Sequence, residues 1–561
     1  LHSVRPAMTT RSPPIGSFVS ERTGRVLLSL ASGLLIGVSM PPGPYGPVAG
    51  IAWVPLLLVW SQANPRQMAV AAFGSWLTAA LTGFSWVLHH VLPTTALASA
   101  GGMLTWAFVF ALPWPLSAAV RKRGGRWLGL ASLLAFHLTV EGLLSRGPLA
   151  FPWGLLGHAL AETPSLRHLA ALGGVGAASA WLIATNALFF TAARDRSFRP
   201  AALALLVLLV GGALTYGGIR SAHLSSGSAP ADSGRATVLL VQPGTPPTAW
   251  ADVRDAGRLR ALQRQTRQAL DTASVRPDLV VWPETALPVV RPRARRQAFY
   301  RSLHAWVDSL GVPVLTGGVG VVEEPGPASP SLFTNRVWFF APTNRSAAGS
   351  SADSSEGSPP GTPASERSDP KTYDKVHLVP FAEHVPLADR LSALDAFRVP
   401  AGGVPGYVRG DGPALWSTPL GRTTPLVCFE SVALPYIQTA SRRGAQVFVT
   451  VAQTGWWNGA TGPRQHRAFT QMAAVAAGRP IVLASVRGPS TVIGPDGRTT
   501  AASAYGSRAA VLASVPRAAD ATPFVRWGDL PFVLAATGSV LALLVLIGRI
   551  LRERLAPDGT I

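Results

Sequence analysis

Pro425-Leu-Val-Cys-Phe-Glu-Ser431 is an apolar run that arrives at Cys428, the single cysteine of a 561-residue chain. The run reads as a buried strand ending in a nucleophile. A free cysteine is among the most buried residue types and usually behaves as a small hydrophobe, so inert packing is the competing reading. Two polar residues in equally strand-like settings weigh against it: Glu284 closes Leu279-Val-Val-Trp-Pro-Glu284, and Lys375 lies in Tyr373-Asp-Lys-Val-His377. A carboxylate straight after an apolar run, and a lysine followed by Val376 and Leu378, are costly to bury without a partner or a purpose. Together the three supply a base, a cation and a thiol.

Outward from these stretches, residues 235–518 alternate short apolar runs with amphipathic ones. Expected strands are Thr237–Val241, Leu279–Trp282, Val314–Thr316, Arg336–Phe340, Leu426–Phe429, Gln446–Val451, Ile481–Ser485, Thr491–Ile493 and Ala510–Ser514. Expected helices are Val253–Ala273, Ala294–Leu310 and Pro463–Ala477, with a shorter one after Glu430. Strands alternating with helices argue for an α/β layered domain. Residues 344–371, rich in Ser, Gly, Pro and Ala, have too little apolar surface to fold alone and read as a solvated insertion.

The flanks have another character. Apolar stretches of about the length that crosses a bilayer core occur near Arg25–Met40, Pro47–Gln62, Met68–Leu92, Thr95–Val120, Trp127–Leu144, Leu169–Ala193 and Ala201–Ile219, and again from Leu530 to Ile550. Seven in succession with little charge between their ends argue for a polytopic membrane domain over residues 25–220, because spanning helices satisfy their own backbone polar groups. Segment 530–550 adds an eighth helix, and 1–24 and 551–561 are tails. Arginines gather before the first span, at Arg66, in Arg121-Lys-Arg-Gly-Gly-Arg126, at Arg194, Arg196 and Arg199, and after the last span, whereas Pro41–Gly46 and His89–Thr95 carry none and only Ser145–His168 is mixed, with Arg146 and Arg167. Lys and Arg accumulate on the cytoplasmic side. Both termini are therefore expected in the cytoplasm and the α/β domain outside it, on the outer face of the cytoplasmic (inner) membrane. The net charge of +21 is largely this topogenic arginine and gives no reason to expect nucleic acid; the rest suits anionic headgroups. One cysteine excludes an intramolecular disulfide.

The order Trp282-Pro-Glu284, Lys375 followed by Leu378-Val-Pro-Phe-Ala-Glu383, Val427-Cys-Phe-Glu430, Gln465-His466 and Gly478-Arg-Pro480 resembles the nitrilase superfamily. With seven spans before it and one after, it is similar to one branch, the apolipoprotein N-acyltransferases. The resemblance implies an α-β-β-α sandwich in which Glu284, Lys375 and Cys428 converge. It also implies transfer of an acyl chain, commonly from phosphatidylethanolamine, to the α-amine of the diacylglyceryl-cysteine of apolipoproteins, by a monomer without a cofactor. In those roles Glu284 is the general base, Lys375 steadies the oxyanion and Cys428 carries a thioester.

Supporting positions follow from the same resemblance. Glu383 matches a glutamate that holds the lysine, with an exposed loop acid as the alternative. Glu430 supports catalysis, or else caps the helix that follows. Trp250 matches a tryptophan near the acyl-chain mouth, or is an interfacial anchor; Asn335 matches a position near the site, or forms a turn. Phe429 is read as a pocket wall. Val451-Ala-Gln-Thr-Gly-Trp-Trp457 and Leu483-Ala-Ser-Val-Arg-Gly488 depart from the family's usual wording, which bears on substrate preference. The histidines lack ligand spacing with Cys or carboxylates, so no metal is expected, and His466 reads as a structural residue on a helix face. A membrane-anchored amidase that passes the acyl group to water uses the same three residues and is the rival reading.

Overall fold

Period-two alternation in the first strand of the α/β domain sets its layering. In β1 (Thr237–Gln242) Val238 and Leu240 face one apolar cluster while Leu239 and Val241 face another. The computed structural model describes residues 19, 21–90, 93–147, 149–226, 236–246, 256–290, 293–322, 332–343, 369–388, 390–398 and 406–555. The other strands are β2 (Leu279–Val281), β3 (Val314–Val322), β4 (Leu332–Phe340), β5 (Lys371–Asp374), β6 (Trp416–Thr418), β7 (Gly421–Val427), β8 (Val447–Ala452), β9 (Ile481–Ser485), β10 (Thr491–Ile493), β11 (Thr499–Ala502) and β12 (Ala509–Ser514). They form two six-stranded sheets, in the orders β12-β1-β2-β3-β4-β5 and β11-β10-β9-β8-β7-β6. Each sheet is parallel at its centre and antiparallel at its flanks.

Helices Ala256–Thr272 and Arg293–Leu310 cover the first sheet through Leu259, Leu262, Leu303 and Val307. Helix Thr461–Ala477 covers the second and is buried along most of its length, because its far side meets the membrane half. The result is an α-β-β-α sandwich with one outer layer pressed on a helical bundle. Strand β5 begins at Lys371, so the insertion expected over 344–371 ends inside a sheet; residues 344–368 are outside the described set.

Four segments among the described residues are long and apolar enough to cross a membrane: Thr95–Leu144, Leu166–Arg194, Arg199–Ser225 and Leu530–Leu555. The first is two legs. Gly125 has non-helical backbone angles, and a Cβ on Gly129 would lie 3.1 Å from the Cα of Arg121, eight residues back, which a straight helix would place about 12 Å away. Helices Arg22–Ser39 and Pro65–Gly83 are 18 and 19 residues long but less apolar. The span expected over Pro47–Gln62 is not one helix: a 3-10 turn, Gly46–Gly50, precedes a seven-residue helix, Val54–Trp60, with Pro47 and Pro55 in their opening positions. A proline at a helix start is tolerated, but inside a continuous helix it removes a backbone bond. Met68–Leu92 likewise stops short, its helix ending at Gly83.

The bundle has two unlike ends. At one, Arg126 pairs with Asp195 at 2.5 Å, Arg123 with Glu553 at 3.1 Å, and Arg121 donates to the carbonyls of Ser61 and Ala63. The other end holds the sandwich. There Arg467 pairs with Glu162 at 2.6 Å and the Asn458 N–H donates to His89 O at 2.9 Å.

Gln465 fastens the two halves. Its buried amide donates to Pro41 O at 2.6 Å and Gly83 O at 3.0 Å, and accepts from the indoles of Trp86 at 3.0 Å and Trp153 at 3.1 Å. Both donors and both acceptor sites of the amide are in use. Gln465→Leu leaves those four groups without their partner, and at about 1–3 kcal/mol per buried group left unpaired a clear fall in the melting temperature in detergent is expected. An unchanged melting temperature would mean that water replaces the bracket at no cost.

Candidate active site

Cys428 stands where a strand turns. Strand β7 runs parallel to β8, pairing Val427 with Val451, and ends at Val427, so the expected strand is two residues too long at its carboxyl end. Cys428 has φ +49°, a left-handed conformation that costs a side-chain-bearing residue about 1–2 kcal/mol. The turn is held by its own carbonyl: Cys428 O accepts from Ser431 Oγ at 3.0 Å and lies 3.2 Å from His466 Nε2. Ser431 and His466 also share a 2.8 Å hydrogen bond. His466 thus supports the backbone turn at Cys428.

Glu284 follows β2, and Lys375 follows β5, with the Lys375 N–H donating to Asn335 O at 2.8 Å. Both side chains are buried. Asn335, in the middle of β4 opposite Val319 and so not a turn residue, donates through Nδ2 to Glu284 Oε1 at 2.7 Å and Glu383 Oε1 at 2.9 Å. Lys375 Nζ sits 2.7 Å from Glu383 Oε2, which also accepts from the Val379 N–H. The remaining oxygen of Glu284 accepts from the Gln453 N–H at 2.7 Å. That bond is made by the backbone, so the unusual wording at 451–457 leaves it intact.

Through that bond the end of β2 in one sheet meets the end of β8 in the other, and the charges acting on the Cys428 thiol are those of Glu284, Lys375 and Glu383. Burial first, and then the charge of Glu284, push the thiol up to about 12. Burial also raises Glu284, against the pull of Lys375. Burial lowers Lys375, but Glu383 and Glu284 outweigh it and hold the ammonium above its usual range. The site therefore holds a buried thiol, a carboxyl group whose proton affinity is raised, and a cation. Such a set can shuttle one proton between sulfur and carboxylate while the cation faces negative charge growing on an ester oxygen.

Glu430 is not on a continuing strand; it lies in the 3-10 turn Cys428–Val432. Its Oε1 accepts from Tyr373 Oη at 2.8 Å and from the N–H groups of Val376 and His377, and its Oε2 from the Val427 N–H. The carboxylate ties the segment after Lys375 to the turn at Cys428. Phe429 is buried and stacks on Phe151 at 5.3 Å and Trp153 at 6.5 Å. Those two aromatics come from the membrane half, and the sequence alone does not separate them from interfacial anchors. Tyr373 and Tyr407, the latter raised by burial and by Glu383 and Glu284, are further neighbours the sequence reading missed. Trp250 lies outside the described residues.

Residues 240–520, half of the chain, match the model of the carbon-nitrogen hydrolase family, and residues 32–188 match the apolipoprotein N-acyltransferase N-terminal domain. The chain belongs to the carbon-nitrogen hydrolases, in their apolipoprotein N-acyltransferase branch. It is 29% identical over 549 residues to the apolipoprotein N-acyltransferase of Azotobacter vinelandii, covering 95% of this chain and 97% of that one. Relatives of that name from Allorhizobium ampelinum and Pseudomonas aeruginosa are also 29% identical, over 514 and 548 residues; they align with 84% and 94% of this chain, and with 86% and 96% of their own lengths. Members of this family therefore share both halves of the molecule, the bundle as well as the sandwich.

Proposed function

We propose that this protein is an integral-membrane N-acyltransferase that moves a fatty acyl chain from a phospholipid, through a thioester on Cys428, to the α-amine of the diacylglyceryl-cysteine of apolipoproteins. The observation that carries the reading is the stacking of Phe151 and Trp153, from the membrane half, on the residue next to the nucleophile. A site walled by the bundle is built for reactants that stay in lipid. Pulling an acyl chain through water would cost about 0.8 kcal/mol per CH₂.

The chemistry balances in two steps. Glu284 takes the Cys428 proton as sulfur attacks the ester carbonyl, Lys375 and a backbone N–H near Cys428 face the oxyanion, and the C–O bond breaks as Glu284 returns the proton to the lysophospholipid alcohol. The amine then attacks the thioester; the C–N bond forms, the C–S bond breaks, and Glu284 passes the amine's proton to the departing sulfur. In this scheme Glu383 and Asn335 position Lys375 and Glu284, Glu430 holds the turn, and Phe429 and Trp250 line the acyl path. Eight crossings are proposed, with both termini cytoplasmic, since Arg121, Arg123 and Arg126 lie at the end remote from the sandwich, although the loop at the sandwich end also carries Arg146 and Arg167.

Intact-mass measurement after incubation with phosphatidylethanolamine tests the reading. The wild type is expected to gain one fatty acyl group, released by a diacylglyceryl lipopeptide, and Cys428→Ala to gain none. Release of free fatty acid with no transfer to the lipopeptide would favour the amidase-type reading. Lipopeptide acylated by the Cys428→Ala protein would sink both.

A further inference from the structure

Residues 407–410 run along the site as an added edge. The Tyr407 N–H donates to Glu383 O at 2.9 Å, the Val408 N–H to Phe333 O at 2.8 Å and the Gly410 N–H to Lys375 O at 2.9 Å. Gly410 permits this approach, because a Cβ there would fall 2.1 Å from Asp374 O. With both neighbours tied down, Arg409 lines a crevice walled by His377 and Phe429 on one side and by Ser145, Gly147 and Ala150 on the other. The second wall begins where the helix Pro113–Leu144 ends, which in a spanning helix is the level of lipid headgroups. Phe429, at the crevice, is the neighbour of the nucleophile.

The electrostatics of the crevice favour an anion. No ion pair to Arg409 is found among the described residues, whereas Arg146, beside the opposite wall, is already matched by Asp529 at 2.5 Å. The nearby carboxylate of Glu430 is used up by the four donors named above. Burial, with Arg409 and Lys375 adding to it, lowers His377 to about 4, so at neutral pH its ring is an uncharged hydrogen-bonding group facing a guanidinium. A guanidinium with open donors binds phosphate oxygens in pairs. We propose that Arg409 and His377 form the subsite for the phosphodiester of the acyl donor, set at the seam between bundle and sandwich. This deepens the acyl-transfer reading and rests on it: a glycerophospholipid carries its phosphate one glycerol unit from the ester that Cys428 attacks.

The test compares two donors with the same acyl chains in full-length protein in detergent, phosphatidylethanolamine and the phosphate-free diacylglycerol. Arg409→Ala is expected to raise KM for the phospholipid about tenfold, the loss of one charge-assisted contact. Acylation by diacylglycerol and discharge of the preformed thioester by lipopeptide should stay unchanged, and Arg409→Lys should recover part of the loss. Equal losses with both donors, or no change with the phospholipid, would overturn the subsite. Inorganic phosphate at matched ionic strength should compete with phospholipid only in the wild type; competition without any effect of Arg409→Ala on phospholipid KM would assign the crevice to free phosphate and refute the lipid subsite. Binding of lysophosphatidylethanolamine to Cys428→Ala protein, with and without Arg409→Ala, reads the subsite without chemistry. A wild type inert to every phospholipid would refute acyl transfer, while this binding comparison would still decide on Arg409.

Discussion

Glu284→Gln is expected to slow acylation of Cys428 by about a thousandfold, the middle of the range for losing a positioned general base. The substitution keeps an acceptor for Asn335 Nδ2 but turns an amide N–H toward the Gln453 N–H, which now donates to Glu284 Oε2. Its pH profile carries the sharper signature. Burial raises Glu284, and a base must be unprotonated to act, so the wild-type rate should fall with decreasing pH along a limb lying above the ordinary glutamate value of about 4.3. In the glutamine variant that limb disappears. The thiol must then ionise unaided, and because burial is the main cause of its upward shift, the residual rate should keep rising with pH through the neutral range. Stopped-flow or quenched acylation from pH 5 to 9 reads both; an unchanged acid limb in Glu284→Gln would remove Glu284 from the base role.

Lys375→Met should be at least as damaging, by about 10⁴, since two effects add. The oxyanion loses a fixed donor, worth about 10²–10³ in rate, and Glu284 loses the cation that opposes its upward shift, so it is more often protonated at neutral pH. Glu383, whose Oε2 lies 2.7 Å from the ammonium, is left buried against a methyl group. Removing one partner of a buried pair typically costs about 3–5 kcal/mol, lessened here as a carboxylate takes up a proton, so a lower melting temperature should accompany the lost activity. The folded state raises the Lys375 pKa, so its stabilisation is complete below the unfolded value near 10.4 and fades only at higher pH. The thermal difference between wild type and variant should therefore persist across neutral pH. A variant that melts normally and acylates at the wild-type rate would exclude Lys375 from the centre.

The layered α/β domain was legible because its strands are short apolar runs cut off by polar or glycine-rich stretches, and strands such as β9 and β10 declare themselves that way. Strands β5, β6 and β11 did not: Lys371–Asp374, Trp416–Thr418 and Thr499–Ala502 are edge or near-edge strands with exposed alternate residues, and their pairing is decided by partners far away in sequence. Cys428, Glu284 and Lys375 stood out because each is a costly group in an apolar setting. The membrane wall of the site was not legible, since Phe151 and Trp153 acquire their meaning only when the loop after Leu144 folds onto Phe429. Hydropathy also overran at Pro47–Gln62, where apolar content does not reveal that two prolines open separate short helices.

Gln465 ties the sandwich to Pro41, Gly83, Trp86 and Trp153 at once, so the catalytic centre keeps a fixed height above the bundle. Under the proposed acyl transfer, donor and acceptor would then arrive by two-dimensional diffusion within the same leaflet. Turnover should follow their surface density in that monolayer and be indifferent to how dilute the membranes themselves are.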